Sequence, residues 1–117
     1  MTARYFTAVT NLSATSGGGS GNVVFTCPAN HVALIKTLKI SNGATSSKKY
    51  SLQYFEASTT TYHTIADEIS LAASTNESYI EGGGCLALKA GDKLVGFEES
   101  SSDFHVVASG ELYYQPS

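Results

Sequence analysis

The sequence predicts an all-β domain made of two antiparallel sheets packed face to face. Three observations point there. Apolar residues alternate rather than recurring at the three- and four-residue spacing of a helix, β-branched and aromatic residues dominate the apolar set, and polar or glycine-containing turns return about every ten residues. At 117 residues the chain has room for one core, since a domain typically takes roughly 100 to 200 residues. Eight to ten short strands are expected. Greek-key, jelly-roll and closed-barrel connections give similar one-dimensional patterns, so strand order stays open.

Residues 5–12 form a first extended segment, and residues 13–22 follow as a loop whose glycines remove any periodicity. Residues 23–27 are a short strand. Pro28-Ala29-Asn30 turns the chain into Val32, Leu34, Leu38 and Ile40, an every-other-residue apolar set interrupted by Lys36, the pattern of a half-buried antiparallel strand. Asn42-Gly43 is a turn signal, and Tyr50, Leu52 and Tyr54 alternate beyond it, which predicts a hairpin. Residues 60–66, 69–72, 78–81, 86–88, 93–98 and 104–114 read as further strands. Ala90-Gly91-Asp92 is a tight turn between two of them, and Gly110 marks a bulge or a close backbone approach in the last.

Hydrophobic residues make up 42% of the chain and charged residues 15%, well under the usual share of about 25% charged. Seven Lys and Arg stand against ten Asp and Glu, giving a formal charge of −3. No basic run is present to neutralise phosphates, which argues against a nucleic-acid partner. No stretch approaches the roughly 18 apolar residues of a membrane helix, and the first residues lack an apolar signal-peptide core. Neither a membrane nor an export route is expected. Cys27 and Cys85 form no CxxC pair and too few cysteines are present for a disulfide framework, so free, buried thiols are expected over a disulfide. The glycosylation sequons at Asn11 and Asn76 carry no weight without a secretory signal.

Candidate chemistry is sparse. His31, His63 and His105 are the histidines, and Asp103 lies two residues before His105. With sixteen serines in the chain a Ser near a His is expected by accident, and no Gly-x-Ser-x-Gly elbow is present. Cys27 and His31 have a metal-like spacing, with Cys85 and His63 as further donors, but the spacing stands alone and no convergent ligand set is expected. The glycine runs at 17–21 and 82–84 read as turns, because a phosphate-binding loop needs a following helix and a Lys-Ser/Thr pair. Asp67-Glu68 and Glu98-Glu99 read as solvated strand ends, since adjacent strand residues point to opposite faces. Seven tyrosines and five phenylalanines, with no tryptophan, mostly fill a core. Tyr113-Tyr114 puts one ring on each face of its strand. The candidate interface residues are Arg4, Tyr5 and Phe6 near the N-terminus and Tyr113 and Tyr114 near the C-terminus.

Cys27-Pro28-Ala29-Asn30, followed by Val32-Ala33-Leu34-Ile35-Lys36-Thr37-Leu38-Lys39-Ile40-Ser41-Asn42, resembles the Pro-Ala, valine-rich strand and Ser-Asn turn of small virion proteins of tailed bacteriophages. Residues 50–56, Ile69-Ser70-Leu71 and residues 88–94 resemble later strands of the same group. The likeness covers about residues 23–112 and consists of strand and turn patterns, with no chemical signature. It implies a jelly-roll-like β-sandwich used as capsid decoration or cement, or as a head-fibre, neck or tail module. No catalytic residue comes with it.

From this follow several expectations. Residues 1–22 are an N-terminal strand and glycine-rich arm that crosses to a neighbour, and residues 23–117 are one sandwich domain. The protein is a homo-oligomer, a trimer being favoured, that binds the major capsid protein or other virion proteins on the outer capsid surface. It is no enzyme, uses no cofactor or metal, and is made in the host cytoplasm before joining the virion. Two other classes compete: a fibre or tail module binding carbohydrate through Tyr and Asn side chains, and a small hydrolase using His105 or Cys27.

Overall fold

The computed structural model describes residues 3–12, 22–80, 84–98 and 104–115. Among them are nine strands and no helix: β1 (Ala3–Leu12), β2 (Asn22–Thr26), β3 (His31–Asn42), β4 (Lys48–Glu56), β5 (Thr61–Leu71), β6 (Asn76–Ile80), β7 (Leu86–Leu88), β8 (Lys93–Glu98) and β9 (Phe104–Tyr114). They form the two antiparallel sheets the sequence predicts. One runs β1-β9-β3-β6, with β7 also paired to β3; the other runs β2-β8-β4-β5. β6 lies against Leu38–Ser41 of β3 and β7 against Ala33–Ile35, so two short strands complete one edge.

The core sits between the sheets. Leu12, Ile35, Leu38, Ile40, Leu88, Phe104 and Val106 from the first sheet meet Tyr50, Leu52, Ala66, Leu71 and Leu94 from the second. Tyr50 and Phe104 cross the interface edge to face, with ring centroids 5.6 Å apart. Gly96 sits opposite Leu12, whose methyl would lie 2.9 Å from a Cβ at that position. At the side of the sandwich, Phe6 of β1 stacks on Phe25 of β2 at 4.2 Å and closes the gap between the sheets.

Four readings change. The expected hairpin after Asn42 is not formed, because β3 and β4 belong to different sheets. The Asn42-Gly43 segment is instead a corner between layers. Asn42 is buried there; its Nδ2 donates to the carbonyls of Ser46, Leu71 and Ala72 at 3.1, 3.0 and 3.4 Å, and its Oδ1 accepts from the Ala44 N–H at 2.8 Å. That tie replaces hairpin pairing with side-chain hydrogen bonds that a local turn signal does not reveal. The hairpin lies one connection later, between β4 and β5 around residues 57–60.

The second change is that the two strands expected within residues 60–72 are one, β5, irregular in register near Glu68, which has a φ of +48°. A bulge lets a strand continue where the alternation stumbles. The third concerns β3: Ala33 and Ile35 are buried while Val32 and Leu34 are half-buried, and from Leu38 onward the expected Leu38 and Ile40 are inside. The register skips Lys36, so one extra residue reverses the inward phase along the strand. The fourth is Glu98, which is 2% exposed and accepts the Phe104 N–H at 2.8 Å. Glu99 and Asp103 lie outside the described residues, as do the glycine-rich segment 13–21 and residues 82–83.

Candidate interaction surface

Directly opposite residues of an antiparallel pair share a face. On the side of the first sheet away from the core, Tyr5, Thr7, Val9 and Asn11 of β1 therefore stand beside Glu111, Ser109, Val107 and His105 of β9. Thr37, Lys39 and Ser41 of β3 continue those rows. Tyr5 and Val9 are 83% and 69% exposed, more than any other large hydrophobic among the described residues. The surface is broad, rich in hydroxyls and nearly uncharged along β1.

Its shape depends on Gly110. A Cβ there would stand 1.8 Å from the Leu34 carbonyl oxygen, so only glycine lets β3 approach β9 at its bulge. Beside that approach Lys36 meets Glu111, Nζ to Oε1 3.1 Å, and the Tyr113 hydroxyl donates to the same carboxylate at 2.7 Å. These contacts hold the Glu111 carboxyl below the usual carboxylate range, through the Tyr113 hydrogen bond first and Lys36 second. Glu111 in turn raises both Lys36 and Tyr113. The one cation and one anion at this end of the face neutralise each other. A shallow depression lined by Tyr5, Thr7, Lys36, Ser109 and Glu111 lies between them.

All five candidate interface residues gather at this end of the first sheet but divide between its faces. Tyr5 and Tyr113 take the outer face. Phe6 turns inward onto Phe25. Arg4 and Tyr114 take the inward phase, where His31 joins them: His31 lies opposite Tyr114, their rings edge to face at 5.5 Å. The His31 Nδ1 lies 2.8 Å from the Ala29 carbonyl and its Nε2 3.2 Å from Arg4 Nη2. A carbonyl only accepts and a guanidinium only donates, so Nδ1 carries the proton and Nε2 accepts from Arg4. In this arrangement His31 is a neutral tie between β1 and the start of β3.

The remaining candidates are held apart. Cys27 is buried and its thiol points to the His31 carbonyl at 3.4 Å, whereas Cys85 is exposed; both are free. Burial of both was expected, and only Cys27 is inside. His63 pairs with Glu56 at 3.2 Å on the β4–β5 hairpin, and His105 is exposed on the outer face. Among the described residues no three metal-ligating side chains converge.

The polar cluster the sequence reading missed surrounds Asp92, 3% exposed. Its carboxylate accepts from the Tyr54 hydroxyl, from the Ala57 N–H at 2.9 Å and from the Lys89 N–H at 3.2 Å. Burial alone would raise this carboxyl, but the three donors outweigh it and leave it below its ordinary value. Burial, then Asp92, pushes the Tyr54 hydroxyl far up. Tyr50, likewise raised by burial first, donates to Glu77 across the sandwich. The Asp92 contacts tie the turns at Ala57 and Lys89 to β4, and the Tyr50–Glu77 contact ties β4 to β6 across the sandwich.

No family model, curated protein or solved structure matches the chain. The class defined by fold and surface is an all-β sandwich whose first sheet presents an outer face uncharged along β1.

Proposed function

We propose that this chain is a structural protein of a bacteriophage virion, a decoration or cement protein that binds the outer capsid surface as a homo-oligomer and stabilises it. The observation that carries the reading is the outer face of the β1-β9-β3 sheet, where exposed Tyr5 and Val9 stand among hydroxyls with the Lys36–Glu111 pair neutralised. Such a face suits docking on another protein, because aromatic residues are enriched and charge depleted at interface centres. The strand orders β1-β9-β3-β6 and β2-β8-β4-β5, with the chain changing sheets at most connections, support the jelly-roll reading. The buried acids and tyrosines serve as structural clamps, which favours a non-catalytic role. The partner is the major capsid protein or another virion protein, and a trimer is the favoured oligomer.

The test is to add purified protein to capsids that lack it, following sedimentation and resistance of the capsids to heat. Stoichiometric binding with raised capsid stability is expected, and Tyr5→Ala with Val9→Ser should weaken it. A stable free oligomer that leaves capsids untouched would overturn the cement reading. One observation favours a second reading: the depression between Tyr5, Lys36 and Glu111 combines an aromatic ring with charged hydrogen-bonding groups, as a sugar site does. A head-fibre, neck or tail module would then bind carbohydrate there, and a glycan array with the isolated protein separates the two.

A further inference from the structure

A sheet edge presents unpaired N–H and C=O groups, and proteins blunt such edges by shortening, bulging or charging them. Three of the four edges here are treated in this way. β2 has five residues and a register shift between Val23 and Phe25. β6 and β7 divide their edge into pieces of five and three residues. β5 carries Asp67 and Glu68, with Glu68 in the left-handed region and two register shifts against β4.

β1 has none of these devices. It runs ten residues, pairs with β9 from Ala3 to Leu12 without a register shift, contains no proline and has Arg4 as its one charge. Among the described residues its other side pairs with no strand.

We propose that the open edge of β1 binds β1 of a second copy of this chain, the two strands running antiparallel about a twofold axis through Thr7. The sequence of β1 is complementary to itself in that register, in which paired positions sum to fourteen. Tyr5 faces Val9 of the second copy, Thr7 faces Thr7, and Phe6 faces Ala8. Aromatic with β-branched and Thr with Thr are favourable cross-strand pairs, and the large Phe6 meets the smallest inward residue available. Arg4 falls opposite Thr10, so no like charges meet.

Both strongly exposed apolar side chains of β1 then gain a cross-strand neighbour, Tyr5 beside the second copy's Val9 and Val9 beside its Tyr5. The first sheets of two copies join into one continuous sheet, with Val107, Val9, Tyr5 and Glu111 forming a row across the junction and Ser109, Thr7, Thr7 and Ser109 a hydroxyl row through the axis. Alternate β1 peptide groups gain hydrogen bonds, and the half-buried Phe6–Phe25 stack beneath the edge loses water contact. This contact is isologous and closes at two copies, so a trimer needs a different surface. The pairing uses the backbone edge of β1 and the capsid reading its outer face, so Tyr5 and Val9 enter both while Thr7 at the axis tests the pairing alone.

The experiment uses the full chain in solution. Sedimentation equilibrium should show a monomer–dimer equilibrium. Thr7→Lys places two cations at the axis and should weaken it at least about tenfold, as should Thr7→Glu, while an equimolar mixture of the two variants should restore dimers, because only this register sets position 7 against itself. Unchanged circular dichroism and melting establish that the exposed Thr7 variants remain folded. Amide exchange on the unaltered protein gives a second reading: the β1 amides not bonded to β9 should gain protection as concentration rises. A protein monomeric throughout, dimers indifferent to Thr7→Lys, mixed variants that stay monomeric, or β1 amides already protected in the monomer would each overturn the proposal.

Discussion

Gly110 and the Leu34 carbonyl oxygen stand where no side chain fits between them: a Cβ on Gly110 would lie 1.8 Å from that oxygen. Both obstacles to relief are backbone, in the two most extensively paired strands of the first sheet. Gly110→Ala must push β3 from β9 at the bulge, and a loss of about 3 kcal/mol is expected. Gly96→Ala, whose Cβ would press on methyls of Leu12 and Leu52 at 2.9 and 3.1 Å, should cost about 1 kcal/mol because those side chains can turn aside. Urea unfolding of both variants checks the order, and equal stabilities would show that the β3–β9 approach is looser than described.

Asp92 links stability to acid pH. An ordinary aspartate titrates at 3.8 and the folded group lies below that, so its stabilisation is fully present above pH 3.8 and disappears as pH falls through the lower folded value. Asp92→Asn removes an acceptor facing the Ala57 and Lys89 N–H groups and the Tyr54 hydroxyl, and should cost about 2 kcal/mol at neutral pH. Its stability should also fall less steeply below pH 4. Some slope should persist, since Glu56 and Glu111 are lowered too. An acid limb as steep as that of the unaltered protein would remove Asp92 from this role.

At the corner between β3 and β4, Asn42 directs its amide nitrogen at three carbonyl oxygens. Asn42→Ala leaves those groups unserved and should cost about 2 to 3 kcal/mol. Asn42→Asp places a carboxylate against the same acceptors and should be worse at neutral pH. Thermal melts of the pair decide it: an Asp variant more stable than the Ala variant would mean that the amide does not serve this corner.

The two thiols should separate cleanly. Cys85 is exposed, while Cys27 is buried with its thiol raised, burial being the main cause. Under native conditions at pH 8 one thiol per chain should react with a chromogenic disulfide within minutes, and the second only as the protein unfolds. Two fast thiols would mean that Cys27 is accessible.

Much of the architecture is legible in local pattern. Alternation at period two marks the strands, Ala90-Gly91-Asp92 is read correctly as a turn, with Gly91 at a φ of +88°, and the lone glycine of the last strand does mark a close approach. The candidate surface is legible in part: Tyr5 and Tyr113 share the outer face, while Phe6 packs inward. What could have pointed to the edge was the uninterrupted, nearly uncharged run of residues 3–12 itself.

The sequence by itself determined the class of fold and the places where the chain bends, because alternation and turn chemistry are properties of neighbouring residues. Tertiary structure alone decided which face of β3 points inward, that Asn42 turns a corner instead of closing a hairpin, and that Glu98 and Asp92 are buried. Each of these depends on a partner distant in sequence. A one-residue bulge at Lys36 is invisible until β9 supplies the register, a turn signal is equally compatible with either sheet, and a carboxylate goes inside only where N–H and O–H donors from other strands and loops are already waiting.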